Sequence, residues 1–331
     1  MTRAVLPSNG RCLARVPDSV SQGSAPAASA NVIAPRLFQY GIFPVVMTAA
    51  VAIAWWLMGN GVEPALAILG PQFGGFIVVA IFEHIYPYHR SWNISRADIR
   101  VDATHAVSIA VLLGLVTPLL TATGVVIGGY LSAEYGASIW PHEWPLLLQI
   151  VMVLLIGEIP GYWIHRWEHQ WDFLWRFHAV HHSAPRLYWL NAGRFHPIDS
   201  LLTFVPSLML LVALGASEML LAYFTLITAL HGIFQHGNLQ LRLGPLNWFF
   251  SMAELHRWHH SRTIVESNSN YGQTVSVWDW VFGTRHLPAD KAPPEDIGMT
   301  GLAAFPMTWW AQIVAPLRWR RIKADSETPQ A

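Results

Sequence analysis

Two short stretches, His178-Ala-Val-His181-His182 and His256-Arg-Trp-His259-His260, share the pattern H-x-x-H-H, and His165-Arg-Trp-Glu-His169 precedes them. The chain has 16 histidines in 331 residues. One specified H-x-x-H-H is therefore expected about 0.04 times, so two copies need a cause other than histidine content. On a helix, residues three and four apart are neighbours on one side, and each stretch would set its imidazoles side by side. Imidazole is a ligand for zinc, copper, iron and nickel alike, so the spacing indicates a metal without naming it. Eight ligands are too many for one ion, because a structural zinc takes four and a catalytic zinc usually three. Two ions sharing the three stretches fit the number, and paired ions are an established catalytic arrangement. Cys12 is the only cysteine, which excludes an intrachain disulfide and thiolate-bound iron–sulfur or zinc sites.

Three other readings compete. His165-x-x-Glu168-His169 also fits H-x-x-E-H, the inverted signature of a zinc metallopeptidase in which Glu is the base. That reading uses two of the clustered histidines and leaves both H-x-x-H-H stretches unexplained. The histidines could be packing residues only, or the chain could be a non-catalytic metal-binding membrane protein that takes up metal without consuming O2. Around the stretches, Glu168, Asp172, Asp199 and Glu254 are candidates to accept the outer N–H of a ligand imidazole, against the plainer roles of solvated charge or helix cap. Glu158, beside Pro160 in an apolar segment, is read as lining the site or supporting a ligand; an acid reaching interfacial water is the rival.

The elements that must position these residues are set by the solvent. Apolar residues make up 53% of the chain and charged residues 12%, with 17 Trp, a composition that suits a membrane protein. Apolar stretches of about 20 residues fall near 38 to 58, 64 to 83, 104 to 131 and 145 to 164. A longer one from 200 to 235, divided at Gly215-Ala-Ser217, reads as a hairpin of two spans. The fold class is therefore all-α, a polytopic transmembrane bundle of about four to six spans with a cytoplasmic helical cap carrying the histidines. Pro118 and Gly128-Gly129 in the third span leave room for a tilt, a kink or a re-entrant turn. With six crossings, segments 1 to 37, 84 to 103, 165 to 199 and 236 to 331 share a side and hold all 20 Lys and Arg. The opposite loops carry acids such as Glu63, Glu134 and Glu143. By the positive-inside bias both termini, and all three histidine stretches, are expected in the cytoplasm, in a bacterial inner membrane or the endoplasmic reticulum.

Four regions follow: a disordered Ser-, Ala- and Pro-rich leader over 1–36, membrane helices over 37–144, a catalytic domain over 145–287 and an interfacial tail over 288–331. In the tail, Trp309, Trp310 and Trp319 mixed with Arg318, Arg320 and Arg321 read as a membrane-surface anchor. A formal net charge of +0 offers no reason to expect a nucleic-acid partner.

The ordered set H-x-x-x-H, H-x-x-H-H, H-x-x-H-H, closed by Asn270-Tyr271-Gly272 and Trp278-Asp-Trp-Val-Phe-Gly-Thr284, resembles the fatty acid hydroxylase and sterol desaturase superfamily over residues 145 to 287. The resemblance implies a membrane diiron oxygenase that hydroxylates, desaturates or cleaves a lipid such as a sterol, fatty acyl chain or ether lipid. Its cofactors would be two iron ions cycling between Fe2+ and Fe3+, with O2 as co-substrate. It implies metal ligation and catalysis by His165, His169, His178, His181, His182, His256, His259 and His260. His236 stands where relatives place an additional metal ligand. His231 would share its face only through a bend, and in Arg194-Phe-His196-Pro ligation competes with a helix-start or substrate-facing role. His84, His89, His105, His142 and His286 lack partners at ligand spacing and read as interfacial or structural. Residues 274 to 284 read as a packing element over the site. The sequence has no dinucleotide fingerprint, haem segment or cysteine set, so a separate cytosolic donor of cytochrome b5, ferredoxin or reductase type would supply electrons.

Overall fold

The computed structural model describes residues 33–135 and 139–327, and those residues form helices and loops with three isolated β-bridges between loops. The leader up to residue 32, with Cys12, lies outside them. Helix α1 spans Arg36–Gly59, followed by a short α2, Pro64–Ala67, that runs into α3, Leu69–Ile85. Then come α4, Ile99–Tyr135, and α5, Leu146–Gln170. Helices α6, Asp172–His182, α7, Pro197–Ala213, and α8, Glu218–His236, complete the larger elements. Short helices α9, Ala253–His259, α10, Ile264–Ser267, and α11, Val277–Val281, follow. Helices α12, Trp309–Ile313, and α13, Trp319–Glu327, close the described chain.

Among the described residues, five helical segments are long and apolar enough to cross a membrane: 36–59, 64–85, 99–130, 146–170 and 218–236. The second half of the hairpin is one of them; its first half, α7, is apolar but 17 residues long. The third segment neither breaks nor re-enters, since α4 runs unbroken through Pro118. A proline removes one backbone hydrogen bond, and a single loss is tolerated in a helix whose remaining bonds are kept.

Exposure separates the lipid-facing helices from the interior ones. Only 11% of the most apolar window of α4 is buried, against 72% for α8. Val111, Leu115, Leu119 and Val126 are exposed apolar side chains on α4, as are Trp55 and Trp56 on α1. A sealed apolar exterior of this extent matches hydrocarbon. Helix α8 is the inner post, with Leu220, Tyr223, Leu226, Leu230 and Phe234 fully buried in a core shared with α1, α5 and α7. Gly157 permits a close approach of α5: a Cβ there would meet the Phe224 ring at 2.7 Å and Leu211 at 3.0 Å. Any larger residue at 157 would push α5 off its neighbours.

Two buried ion pairs fasten the membrane helix α4 and its entry to the loop after α6. Arg186 binds Asp98 through two hydrogen bonds of 2.6 and 3.0 Å, and Arg194 binds Asp102 at 2.6 Å. All four side chains are almost completely buried. Removal of one partner would strand a charge, which costs about 3–5 kcal/mol.

Candidate metal centre

The histidine stretches occupy helix ends. His165 and His169 lie in the last two turns of α5, while His178, His181 and His182 close α6. His236 ends α8, and His256, His259 and His260 fill the last turn of α9 and its cap. The first stretch is thus inside its helix, which continues to Gln170, rather than beyond an end near 164. Four helix C-termini present their partial negative charge to one region, each favouring a cation by about 0.3–1 kcal/mol.

Nine imidazoles sort into two groups. His165, His169, His178, His182 and His259 bring one ring nitrogen each to within 4.8 Å of one another, and so do His181, His236, His256 and His260. The groups abut, with the rings of His182 and His260 stacked at 4.4 Å between centroids. Helix geometry accounts for the sorting. At about 100° per residue, the first and last histidines of H-x-x-H-H lie close in angle and the middle one points elsewhere. His178 and His182 enter the first group and His181 the second; His256 and His260 enter the second and His259 the first. Each H-x-x-H-H stretch therefore straddles both groups.

The outer nitrogens fix the orientation of the rings. Nδ1 of His165 faces the Tyr271 carbonyl at 2.7 Å, His259 that of Ser269 at 2.8 Å, His236 that of Gly232 at 2.9 Å and His181 that of Arg194 at 3.2 Å. Nδ1 of His178 faces Asp199 at 3.1 Å and Glu168 at 3.4 Å, and His169 faces the Asn268 side-chain oxygen at 3.2 Å. A nitrogen facing a carbonyl oxygen carries the proton, which leaves the lone pair on Nε2 pointing inward.

Those inward nitrogens approach one another closely. Nε2–Nε2 separations are 3.1 Å for His165–His178 and His182–His259, 3.2 Å for His181–His236, and 2.9 Å for His236–His256 and His256–His260. In His165–His178 and His181–His236, where both Nδ1 atoms face acceptors, lone pair stands against lone pair, which repels unless a cation lies between. Two nitrogens each about 2.1 Å from one ion stand about 3.0 Å apart at a right angle, which matches these separations. Burial, and after it the neighbouring imidazoles, hold His181, His182, His256, His259 and His260 well below the ordinary imidazole range. At neutral pH these rings are neutral donors, as metal ligation requires. The residues fit two metal ions held by nitrogen. Eight of the nine rings are buried; His169 alone is partly exposed.

A shell of loops and carboxylates supports the rings. Asp279 accepts from the backbone N–H of Tyr271 at 2.8 Å and of Gly272 at 2.9 Å, and from the Thr284 hydroxyl at 2.7 Å. A Cβ at Gly272 would stand 2.3 Å from the Val275 carbonyl oxygen, so the turn admits only glycine. Asn270 adopts φ 52°, and its side-chain amide donates to the Leu255 and His286 carbonyls and accepts from the His286 N–H, tying the turn to both. Glu158 accepts from the backbone N–H of Gln273 and, at 3.0 Å, of Thr274. The segment thus does more than pack: it aims the Tyr271 and Ser269 carbonyls at His165 and His259. Glu158 supports a ring at one remove, through this turn.

Other expectations resolve differently. Asp172 pairs with Lys323 at 3.0 Å and accepts the Trp319 indole N–H at 3.1 Å, while Glu254 accepts from Leu243 and Asn247. Neither reaches a histidine of the two groups. Trp319 is therefore a buried strut rather than part of a surface anchor, whereas Trp310 is 64% exposed. His196 caps α7, accepting from Ile198 N–H at 3.1 Å. His231 is buried against Phe43 and Phe250, apart from both groups. His105 is structural, bonded to Phe195 and Gln312. Glu168 gathers with His178 and Asp199 on the outer side of the first group, not between His165 and His169 where a peptidase base would stand. The carbonyl acceptors had no signal in the sequence except the Asn270-Tyr271-Gly272 motif.

Fold and site together define a multi-pass helical membrane protein with a buried, two-compartment imidazole centre. A family model described as fatty acid hydroxylase matches residues 150–284. An ornithine lipid hydroxylase of Rhizobium tropici is 39% identical over 233 residues, covering 69% of each chain. Methylsterol monooxygenase 1 of Gallus gallus is 27% identical over 48% of this chain and 55% of its own. Alkylglycerol monooxygenase of Xenopus tropicalis is 26% identical over 63% and 45%. No solved structure matches. The chain belongs to the fatty acid hydroxylase family and is an oxidoreductase.

Proposed function

We propose that this oxidoreductase is a diiron oxygenase that hydroxylates or desaturates a membrane lipid, with O2 as co-substrate and electrons from a separate protein. The observation that carries the reading is the pair of abutting imidazole groups, five and four rings, gathered at the ends of the apolar spans α5 and α8 and of the short helices α6 and α9. Two irons held by His165, His169, His178, His182 and His259 on one side and His181, His236, His256 and His260 on the other would supply reductive activation of O2 for attack on an unactivated C–H bond.

The chain's own residues do the rest. Acceptor oxygens on Nδ1 of His165, His169, His178, His181, His236 and His259 hold those six rings in one tautomer and one orientation, which keeps their Nε2 donors fixed while charge changes at the centre. Burial keeps the compartment dry and suppresses side reactions. We take 145–287 as the catalytic domain, 37–144 as its membrane support and 288–331 as a tail at the membrane surface. Both termini and the centre lie in the cytoplasm on this reading, in accord with the distribution of Lys and Arg.

Because the ornithine lipid hydroxylase aligns over 69% of this chain, well beyond the family-model segment, ornithine lipid is the first substrate to test; methylated sterols and alkylglycerols come next. The iron-loaded protein, reduced anaerobically and exposed to 18O2 with ornithine lipid in nanodiscs, should give a hydroxylated product carrying the label. Metal-dependent peptide cleavage without O2 uptake would overturn the assignment.

A further inference from the structure

We propose that a basic concavity near the end of the described chain is the docking surface for an acidic one-electron redox protein, and that Trp175 links that surface to the first histidine group. The proposal rests on the oxygenase reading. Arg176 of α6 and Arg318, Arg320 and Arg321 line the concavity, of about 300 Å3, together with Trp319 and Leu317. The last three arginines are exposed. The acids nearby are engaged, Asp172 by Lys323, Trp319 and, at 3.7 Å, Arg176, and Asp325 by Arg321 at 3.5 Å, which leaves Arg318 and Arg320 without an acidic partner among these. Glu327 is the remaining carboxylate on α13. The outward charge is therefore positive, and a negatively charged partner is complementary to it.

Aromatic packing connects this surface to the centre. Trp319, buried beneath the arginines, belongs to an apolar cluster with Ala179, Val180, Phe305 and Ile322, and Trp175 packs against that cluster. The far side of Trp175 meets the first group directly, with ring centroids 5.1 Å from His169 and 5.3 Å from His182. One indole therefore separates the cluster under the concavity from the imidazoles. An anionic bilayer surface would need neither the concavity nor an aromatic route inward. An electron donor uses both.

The balance requires such a donor. Conversion of a C–H bond and O2 into C–OH and water takes four electrons to oxygen, two from the C–H bond and two from outside, with two protons from solvent. Each of two encounters would oxidise the partner's centre by one electron and reduce the metal centre by one. With Cys12 as its only cysteine, the chain carries no iron–sulfur cluster of its own.

The test uses the full chain in phosphatidylcholine nanodiscs, with an acidic plant-type [2Fe–2S] ferredoxin as probe. Affinity is measured on metal-free and metal-loaded protein, and reduction is followed anaerobically by stopped flow. R318E/R320E/R321E should weaken ferredoxin binding on the order of tenfold or more in both forms, and R318Q/R320Q/R321Q should do so to a smaller extent. Trp175→Phe should keep the affinity while slowing reduction of the loaded centre. Unchanged ferredoxin affinity in the triple variants would overturn the docking surface. So would a loss confined to nanodiscs containing anionic phosphatidylglycerol, since the arginines would then be headgroup ligands. An unaltered reduction rate in Trp175→Leu would remove the indole from the route. Dithionite-reduced wild type that fails to oxygenate any lipid would sink the oxygenase reading instead, and the binding measurement would still decide the surface.

Discussion

In His178-x-x-His181-His182 the outer two imidazoles lie about 40° apart around a helix and the middle one about 60° the other way. One turn therefore serves two groups, and the same holds for His256-x-x-His259-His260. Eight of the nine residues were readable because imidazole at three- and four-residue spacing has few uses; His236 was reached only through the family resemblance. Their division into five and four was not, since it depends on how α5, α6, α8 and α9 face one another. The orienting acceptors were least visible of all: a backbone carbonyl such as that of Arg194 or Gly232 leaves no mark on residue type. Among side chains, Asp199 carries the clearest orienting role, at 3.1 Å from His178. Asp199→Ala should weaken metal binding roughly 10–100-fold in competition with a chelator. Asp199→Ala combined with Glu168→Gln should cost more, because Glu168 at 3.4 Å is the remaining acceptor. Equal affinities in wild type and both variants would show that His178 needs no such support.

At the scale of elements, the turn from 269 to 284 supplies two orienting carbonyls to the first group. The Asn270-Tyr271-Gly272 motif was conspicuous, but the reading of 274 to 284 as a packing element missed that Asp279 organises the turn from behind. Burial raises the Asp279 carboxyl from 3.8 to about 6, against the lowering effect of its hydrogen bonds and of Arg285. A carboxyl whose folded value is raised binds its proton more tightly in the folded state. Its contribution is thus full below the unfolded value and lost as pH rises through about 6. Wild type should gain roughly 1 kcal/mol from this residue between about pH 7.5 and about pH 5, and Asp279→Asn should lack that increment. Unfolding of the two proteins in detergent across this range is the measurement; parallel profiles would assign the pH dependence elsewhere.

For the whole molecule, composition was enough to read a membrane protein and the approximate spans, because hydrocarbon imposes length and apolarity directly. The hairpin was harder: at 17 residues α7 falls short of a comfortable span, and its packing beside α4 and α5 is a tertiary fact. Topology is testable with Cys12 replaced by Ser. Cysteine at Glu143 should react with an impermeant maleimide from outside intact cells, and cysteine at Lys291 only after permeabilisation. The reverse pattern would place the centre on the other side of the membrane. Two ions in two groups that share each H-x-x-H-H stretch can be counted by metal analysis of purified protein. Wild type and His142→Ala should contain close to two irons per chain, and His259→Ala and His256→Ala close to one, lost from the first and second group respectively. A single tightly held zinc in wild type, or two metals retained in both variants, would rule out the two-ion centre.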